Sequence, residues 1–129
     1  MCSSDLYDTG ALAAADRDDR TIWRFHTTVL RMNRRPVVPT PVIAQAWREP
    51  GQARLCMLLR GSEIRPLDDA LARAVGRLCG AAKTKDIVDA TVAVLAVNLN
   101  ATVLTSDPND ITHLVECLNG LDRVEVLKI

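Results

Sequence analysis

The fold is decided by the stretch Lys85-Asp86-Ile87-Val88-Asp89-Ala90-Thr91-Val92-Ala93-Val94-Leu95-Ala96. Its apolar residues recur at helical spacing, which predicts one helix from about residue 86 to about residue 99. Asp86 and Asp89 are three residues apart, so they lie on one side of the first turn of this helix. The segment 102–107 follows and predicts a short strand that ends in another carboxylate.

Short apolar segments and helical patterns alternate along the rest of the chain. Strands are expected at 36–40, 63–67 and 124–127, and Asp8 follows a short segment and opens the first helix. This alternation predicts an α/β protein with a mostly parallel sheet and helices on both faces, a three-layer α/β/α sandwich. The second helix is expected to begin near Asp19 and to bury a stripe of apolar residues. That stripe consists of Ile22, Phe25, Val29 and Met32.

Length and composition limit the classes of protein. The 129 residues suit one domain, 1–129, and 48% of them are hydrophobic, which excludes a disordered chain. The formal net charge is zero, unlike that of a strongly basic nucleic-acid module. No stretch is long and apolar enough for a membrane span, and no signal peptide is visible. We therefore expect a cytoplasmic protein.

The cysteines and histidines indicate no metal site of their own. Cys2, Cys56, Cys79 and Cys117 lie far apart in the sequence, which is typical of reduced thiols in a cytosolic protein. The two histidines, His26 and His113, are isolated, and we expect structural roles for both.

The first residues are unusual for a central strand. Such strands are normally runs of Val, Ile and Leu, whereas residues 1–7 are largely polar. The segment Cys2-Ser3-Ser4-Asp5-Leu6 also resembles a translated sequencing adapter. We expect residues 1–6 to be non-native, which leaves Asp8 unaffected.

Four carboxylates are predicted at one edge of the sheet. Asp8 and Asp107 each follow a predicted strand, while Asp86 and Asp89 begin the helix that leads into the last of these strands. In parallel sheets the functional crevice lies beyond the carboxyl ends of the strands. Clustered carboxylates repel one another unless a cation such as Mg²⁺ is present. Separate helix caps favoured by the helix dipole explain the same spacing equally well.

Four segments carry motifs in a fixed order: Asp8-Thr9-Gly10-Ala11-Leu12, Val42-Ile43-Ala44-Gln45-Ala46-Trp47, Val88-Asp89-Ala90-Thr91-Val92-Ala93 and Leu104-Thr105-Ser106-Asp107-Pro108. Together they resemble the motifs of PIN-domain ribonucleases, most closely the VapC-type toxins of bacterial toxin–antitoxin pairs. The resemblance implies a PIN-like fold and hydrolysis of RNA with Mg²⁺ or Mn²⁺. It also implies inhibition by a small antitoxin protein, and a homodimer.

The resemblance assigns roles to individual residues. Asp8 matches the first acid of the family, Asp89 the third and Asp107 the fourth, so these three are expected to be catalytic and to bind the metal. Thr105 matches the small hydroxyl residue before the last acid, which orients a carboxylate or water. Gln45 stands where the family usually has glutamate, and the lost charge should lower metal affinity.

The missing charge leaves several hypotheses open. Asp86 is a further candidate metal ligand that would replace it, and Glu49 is another. If neither does, the chain is a catalytically degenerate PIN-like binding module. A receiver-like signalling domain is a third, weaker interpretation, because the chain lacks a paired acid after the first strand.

Basic and aromatic side chains give only general expectations about RNA. One set of basic side chains flanks the crevice in sequence: Arg17, Arg20, Lys83 and Lys85. A second set is expected to point outward from the second helix and the segment after it: Arg24, Arg31, Arg34 and Arg35. Each set could contact phosphates, and each could equally be a solvated surface. Trp23 and Trp47 are expected in the core or at an interface rather than stacked on bases.

Overall fold

The computed structural model describes residues 4–129. Strands and helices alternate along them as the sequence predicts. The elements are β1 (Ser4–Tyr7), α1 (Thr9–Asp16), α2 (Arg20–Arg31), β2 (Val37–Pro39), α3 (Thr40–Ala46), α4 (Ala53–Arg60), β3 (Glu63–Arg65), α5 (Asp69–Ala82), α6 (Ile87–Leu99), β4 (Ala101–Thr105), α7 (Pro108–Cys117) and β5 (Glu125–Lys128).

Within residues 4–129, five parallel strands form one sheet in the order β3-β2-β1-β4-β5. This confirms the predicted α/β class. The chain moves outward from β1 through β2 to β3, then crosses back to β4 on the other side of β1. The strand order therefore reverses between β1 and β4, and ligand crevices of such sheets lie at this point. Helix α1 contacts α2, α3 and α4, and α5, α6 and α7 form a second group that α3 also contacts through α6.

Helix α6 is the central helix of the second group. It packs against α5, α7, β1 and β4, and every residue from 90 to 96 is buried. Asp86 caps its first turn by accepting a hydrogen bond from the backbone N–H of Asp89, and Asn100 ends it in the left-handed conformation. The cap places the two acids at the edge of the sheet where the strands end.

The polar first strand is accommodated by an ion pair. Asp5 is buried in β1, and its Oδ2 accepts from the Arg34 guanidinium at 2.7 Å. A buried carboxylate without such a partner would be costly. Of the segment expected to be non-native, residues 1–3 lie outside the described residues, and residues 4–6 form part of β1.

One predicted core residue is wrong. Met32 follows α2 and is 54% exposed, whereas His26 occupies the buried face of that helix beside Ile22 and Val29. The phenol of Tyr7 and Nδ1 of His26 are 2.9 Å apart, so the buried polar ring has a partner. This is the structural role expected for His26, and the apolar pattern missed it because histidine counts as polar. Among the helices of residues 4–129, none has the length and apolarity that crossing a bilayer requires.

Candidate functional site

The candidate site lies where β1 and β4 end side by side. The backbone N–H of Asp8 donates to the carbonyl of Leu104 at 3.0 Å, which continues the ladder between the two strands one residue past β1. Asp107 follows β4 by two residues, and Asp86 and Asp89 begin α6. The predicted edge of the sheet therefore holds these carboxylates at the point where the strand order reverses.

Asp8 is held by two hydrogen bonds in a buried position. It is 4% exposed, its Oδ1 accepts from the backbone N–H of Thr9 at 2.7 Å, and its Oδ2 accepts from the Thr105 hydroxyl at 2.7 Å. Burial raises the pKa of Asp8, the two hydrogen bonds lower it, and the charges of Asp107 and Asp86 raise it further. The net direction is upward, so ionising this carboxyl costs free energy that a nearby cation would return.

Asp89 is the second perturbed carboxyl of the site. Its pKa is raised to about 7, first by burial and then by the charges of Asp8 and Asp86, a hydrogen bond with Asp86 and the charge of Asp110. The Asp86 side chain lies close enough to accept from the backbone N–H of Asp89 at 3.0 Å. Asp8 and Asp89 therefore interact electrostatically with each other and with the same neighbour, Asp86.

Thr105 connects the first and last acids. Its hydroxyl donates to Asp8 and accepts from the backbone N–H of Asp107 at 3.0 Å, and the residue is fully buried. The Asp107 side chain makes no capping hydrogen bond at the beginning of α7 and is exposed. Thr105 thus orients the Asp8 carboxylate and the backbone at Asp107, while the Asp107 carboxylate keeps its freedom to rotate.

Gln45 is already paired near the site. It lies on α3, and its Oε1 accepts from the Thr9 hydroxyl at 2.5 Å. Because Thr9 is the residue after Asp8, this contact places Gln45 beside the first acid. Glu49 is exposed in the loop after α3, and it is not among the charges that raise the pKa of Asp8 (Asp107 and Asp86) or of Asp89 (Asp8, Asp86 and Asp110).

Asp110 and His113 extend the site and were missed from the sequence. They line a cavity of about 170 Å³ together with Thr84, Asp86, Asp89 and Leu114. Asp110 lies in the first turn of α7, three residues after Asp107. That spacing, the same as between Asp86 and Asp89, is the signal that could have identified it.

A divalent cation suits the chemistry of these donors. Carboxylate oxygens are the ligands that Mg²⁺ and Mn²⁺ prefer. Burial and, to a smaller extent, repulsion between the acids raise the pKa values of Asp8 and Asp89, and a cation would offset both effects. Within residues 4–129, no three His, Cys, Asp or Glu side chains already converge as a metal-binding group. The acids therefore share an electrostatic environment, and their side chains would need to rotate to bind one ion together.

Comparisons with protein-family models and with curated protein sequences give no match. The fold is similar to that of VapBC2 from Rickettsia felis bound to a DNA fragment from their promoter, with a TM-score of 0.70, 14% sequence identity and coverage of 97% of this chain and 98% of that chain. It is also similar to FitAB bound to an IR36 DNA fragment, with a TM-score of 0.62, 15% identity and coverage of 96% and 94%. At these identities the similarity shows a shared α/β fold.

Proposed function

We propose that this chain is a Mg²⁺- or Mn²⁺-dependent endoribonuclease with a PIN-like three-layer fold, the toxin component of a type II toxin–antitoxin pair. One observation carries the proposal: the carboxylate of Asp8 is buried, is held by Thr105, and interacts with Asp86, Asp89 and Asp107. A stable fold does not need so much negative charge at one edge, whereas a metal-dependent nuclease does.

Asp8, Asp89 and Asp107 would hold the metal, with Asp86 as an additional carboxylate that offsets the neutral Gln45. When bound, such an ion supplies a water activated for attack on phosphorus and neutralises charge on the phosphate and the departing oxygen. Asp107 is suited to this role because its exposed side chain is not engaged in capping α7.

The residues of the chain itself prepare the site. Thr105 and the backbone of Thr9 fix both oxygens of Asp8 by hydrogen bonds. The Asp8 carboxylate therefore does not need to reorient when a metal binds. The pKa of Asp89 is raised to about 7, so its carboxyl group is partly protonated at neutral pH in the metal-free protein. A bound cation would favour its ionised form.

The structural comparisons support the biological part of the proposal. The names of the two similar structures, VapBC2 and FitAB, each denote a pair of proteins, and both structures contain DNA. We propose that this chain likewise has a small antitoxin partner, forms a homodimer and acts on RNA in the cytoplasm. A family assignment of this kind rests on the fold and the acids together, since the sequence identities are 14% and 15%.

Cleavage of a mixed panel of tRNA and structured RNA tests the proposal. The parent should cut in Mg²⁺ or Mn²⁺ and not in EDTA, and Asp89→Asn should lose at least 100-fold in rate, by analogy with the effect of removing a group that acts on the reacting atoms. Asp122→Asn is the matched control, because Asp122 is exposed in the turn before β5. Equal rates for Asp89→Asn and Asp122→Asn would refute the proposed site.

A second candidate function is a catalytically degenerate PIN-like binding module. Gln45 favours it, because the amide adds no charge and is already hydrogen-bonded to Thr9. A folded parent that cuts no RNA with either metal would support the module. Gln45→Glu then separates an impaired nuclease, which gains cleavage, from a module, which does not.

A further inference from the structure

Helix α2 presents a positively charged face that the carboxylate site does not use. We call it the α2 face and define it by Arg20, Trp23, Arg24, Thr27, Thr28 and Arg31, which line a concave surface of about 570 Å³ together with Asp18. These positions fall on one side of a helix. At 1.5 Å per residue, they form a stripe of roughly 16 Å.

The arginines of the α2 face are not neutralised by other side chains. Within residues 4–129, the ion pairs of arginine involve Arg34, Arg54, Arg65 and Arg73, and none involves Arg20, Arg24 or Arg31. Asp18, the acid on this surface, lies 3.7 Å from Arg54. A chain of zero net charge therefore concentrates three unpaired cations on one helix face.

Trp23 is held in a fixed position within this face. Its indole N–H donates to the carbonyl of Ala15 at 3.1 Å, and its ring packs edge-to-face against His26 with centroids 5.7 Å apart. The ring is only half-buried and lines the concave surface. A preoriented aromatic ring between arginines is the combination that binds single-stranded nucleic acid through stacking and backbone charge.

The C-terminal end of the α2 face lies away from the carboxylates. Arg34, three residues after α2, pairs with Asp5 near the beginning of β1, whereas Asp8 follows the end of that strand. The end of α2 is therefore near the opposite edge of the sheet. A nucleic acid bound there would be a segment other than the one at the carboxylate site.

We propose that the α2 face binds the phosphodiester backbone of a single-stranded nucleic-acid segment. The guanidinium groups and the Thr27 hydroxyl contact phosphate oxygens, and a base stacks on Trp23; the Thr28 hydroxyl already donates to the carbonyl of Arg24 at 2.9 Å. The phosphate chemistry is shared by RNA and DNA. The proposal goes beyond the proposed function, because it holds whether or not the carboxylates cleave.

Binding without cleavage tests this surface. Fluorescence anisotropy with a labelled single strand of about 16 nucleotides, as RNA and as DNA of the same sequence, is measured in EDTA. Arg24→Gln with Arg31→Gln should weaken binding on the order of tenfold and reduce the salt dependence by roughly 0.7 per lost contact. The matched control is Arg77→Gln with Arg123→Gln, which removes the same charge from exposed positions elsewhere.

Equal weakening by the two double variants would overturn the proposal, since charge alone would then explain binding. Complete displacement of the labelled strand by a polyglutamate peptide at equal charge would also overturn the proposal, because the α2 face would then be a docking surface for an acidic protein. Equal affinity for RNA and DNA would indicate that the contact is to phosphate. A preference for one of them would indicate that part of the contact is to the sugar. Either result supports a nucleic-acid surface.

Trp23 gives an independent readout. In Trp47→Phe, Trp23 is the remaining tryptophan of the chain, and stacking of a base should quench its fluorescence as RNA is added. Fluorescence that stays constant while RNA binds would contradict the stacking contact. Because neither measurement reads cleavage, a failed nuclease assay leaves both results interpretable.

Discussion

At neutral pH the carboxyl of Asp89 is near the midpoint of its titration, with a pKa raised from 3.8 to about 7. Between these values the folded state keeps a proton that the unfolded chain has lost. Stability should therefore fall as the pH rises from about 4 to about 7 and then level off. Asp8 contributes in the same direction, because its pKa is also raised.

Asp89→Asn should remove much of this pH dependence. The amide does not ionise, so the variant should match the parent near pH 4 and exceed its melting temperature at pH 8, by about 4 °C for each kcal/mol of repulsion removed. Thermal unfolding across this pH range, in EDTA, measures the difference. A parent and variant with parallel pH profiles would contradict the raised pKa, and Asp122→Asn should follow the parent.

The Thr105 hydroxyl should matter to both stability and cleavage. Thr105→Val keeps the shape but removes the donor to Asp8 and the acceptor for the backbone of Asp107. We expect a loss of about 1–3 kcal/mol in stability and of about 10- to 100-fold in metal affinity or activity, as for other groups that orient a ligand. Thr105→Ser restores the hydroxyl, and recovery of activity in this variant distinguishes orientation from packing.

At the scale of elements, α1 and the end of β4 approach so closely that only glycine fits. A Cβ on Gly10 would lie 2.3 Å from Oγ, 2.7 Å from Cβ and 2.8 Å from the backbone nitrogen of Ser106. The backbone contact cannot be relieved by rotating a side chain. The first turn of α1, after Asp8, and the turn before Asp107 therefore hold each other in position.

Gly10→Ala should consequently destabilise the protein by about 1–3 kcal/mol and displace the turn that carries Asp107. Gly76→Ala in α5 is the matched control, since nothing lies within 4 Å of the added Cβ. That variant should be neutral or more stable by up to about 1 kcal/mol, because alanine favours helix. Chemical denaturation of both variants, with RNA cleavage alongside, tests the coupling; equal stabilities would contradict it.

Elements that form through local interactions could be predicted from the sequence, whereas features that depend on residues distant in the sequence could not. Local signals are strong for α6, where an apolar run begins at the capping Asp86, and for Asp8, which caps α1. His26 on the buried face of α2 depends on Tyr7 from another element, so apolar periodicity placed Met32 there instead. The carboxylate edge could be predicted from strand and helix order, whereas the cavity with Asp110 arises from how α7 packs beside α6.

For the whole molecule, a bound cation should act as a stabiliser. Ligand at 100 times its Kd stabilises a fold by about 2.7 kcal/mol, so Mg²⁺ or Mn²⁺ should raise the melting temperature by several degrees. The effect should be larger at pH 8 than at pH 6, because Asp89 must lose its proton and its pKa is raised to about 7. NaCl at matched ionic strength should give no such shift, and Asp8→Asn should abolish it.

The position of β1 in the middle of the sheet has a consequence for synthesis on the ribosome. Thr105 contacts Asp8 across 97 positions of sequence, and β1 pairs along its length with β4. The nascent chain therefore cannot bring the acids together until the segment through Thr105 has left the exit tunnel. Contacts of such long range also slow folding. No partial product of translation would carry an assembled carboxylate site, so any chemistry at this edge of the sheet could begin only after most of the chain had been made.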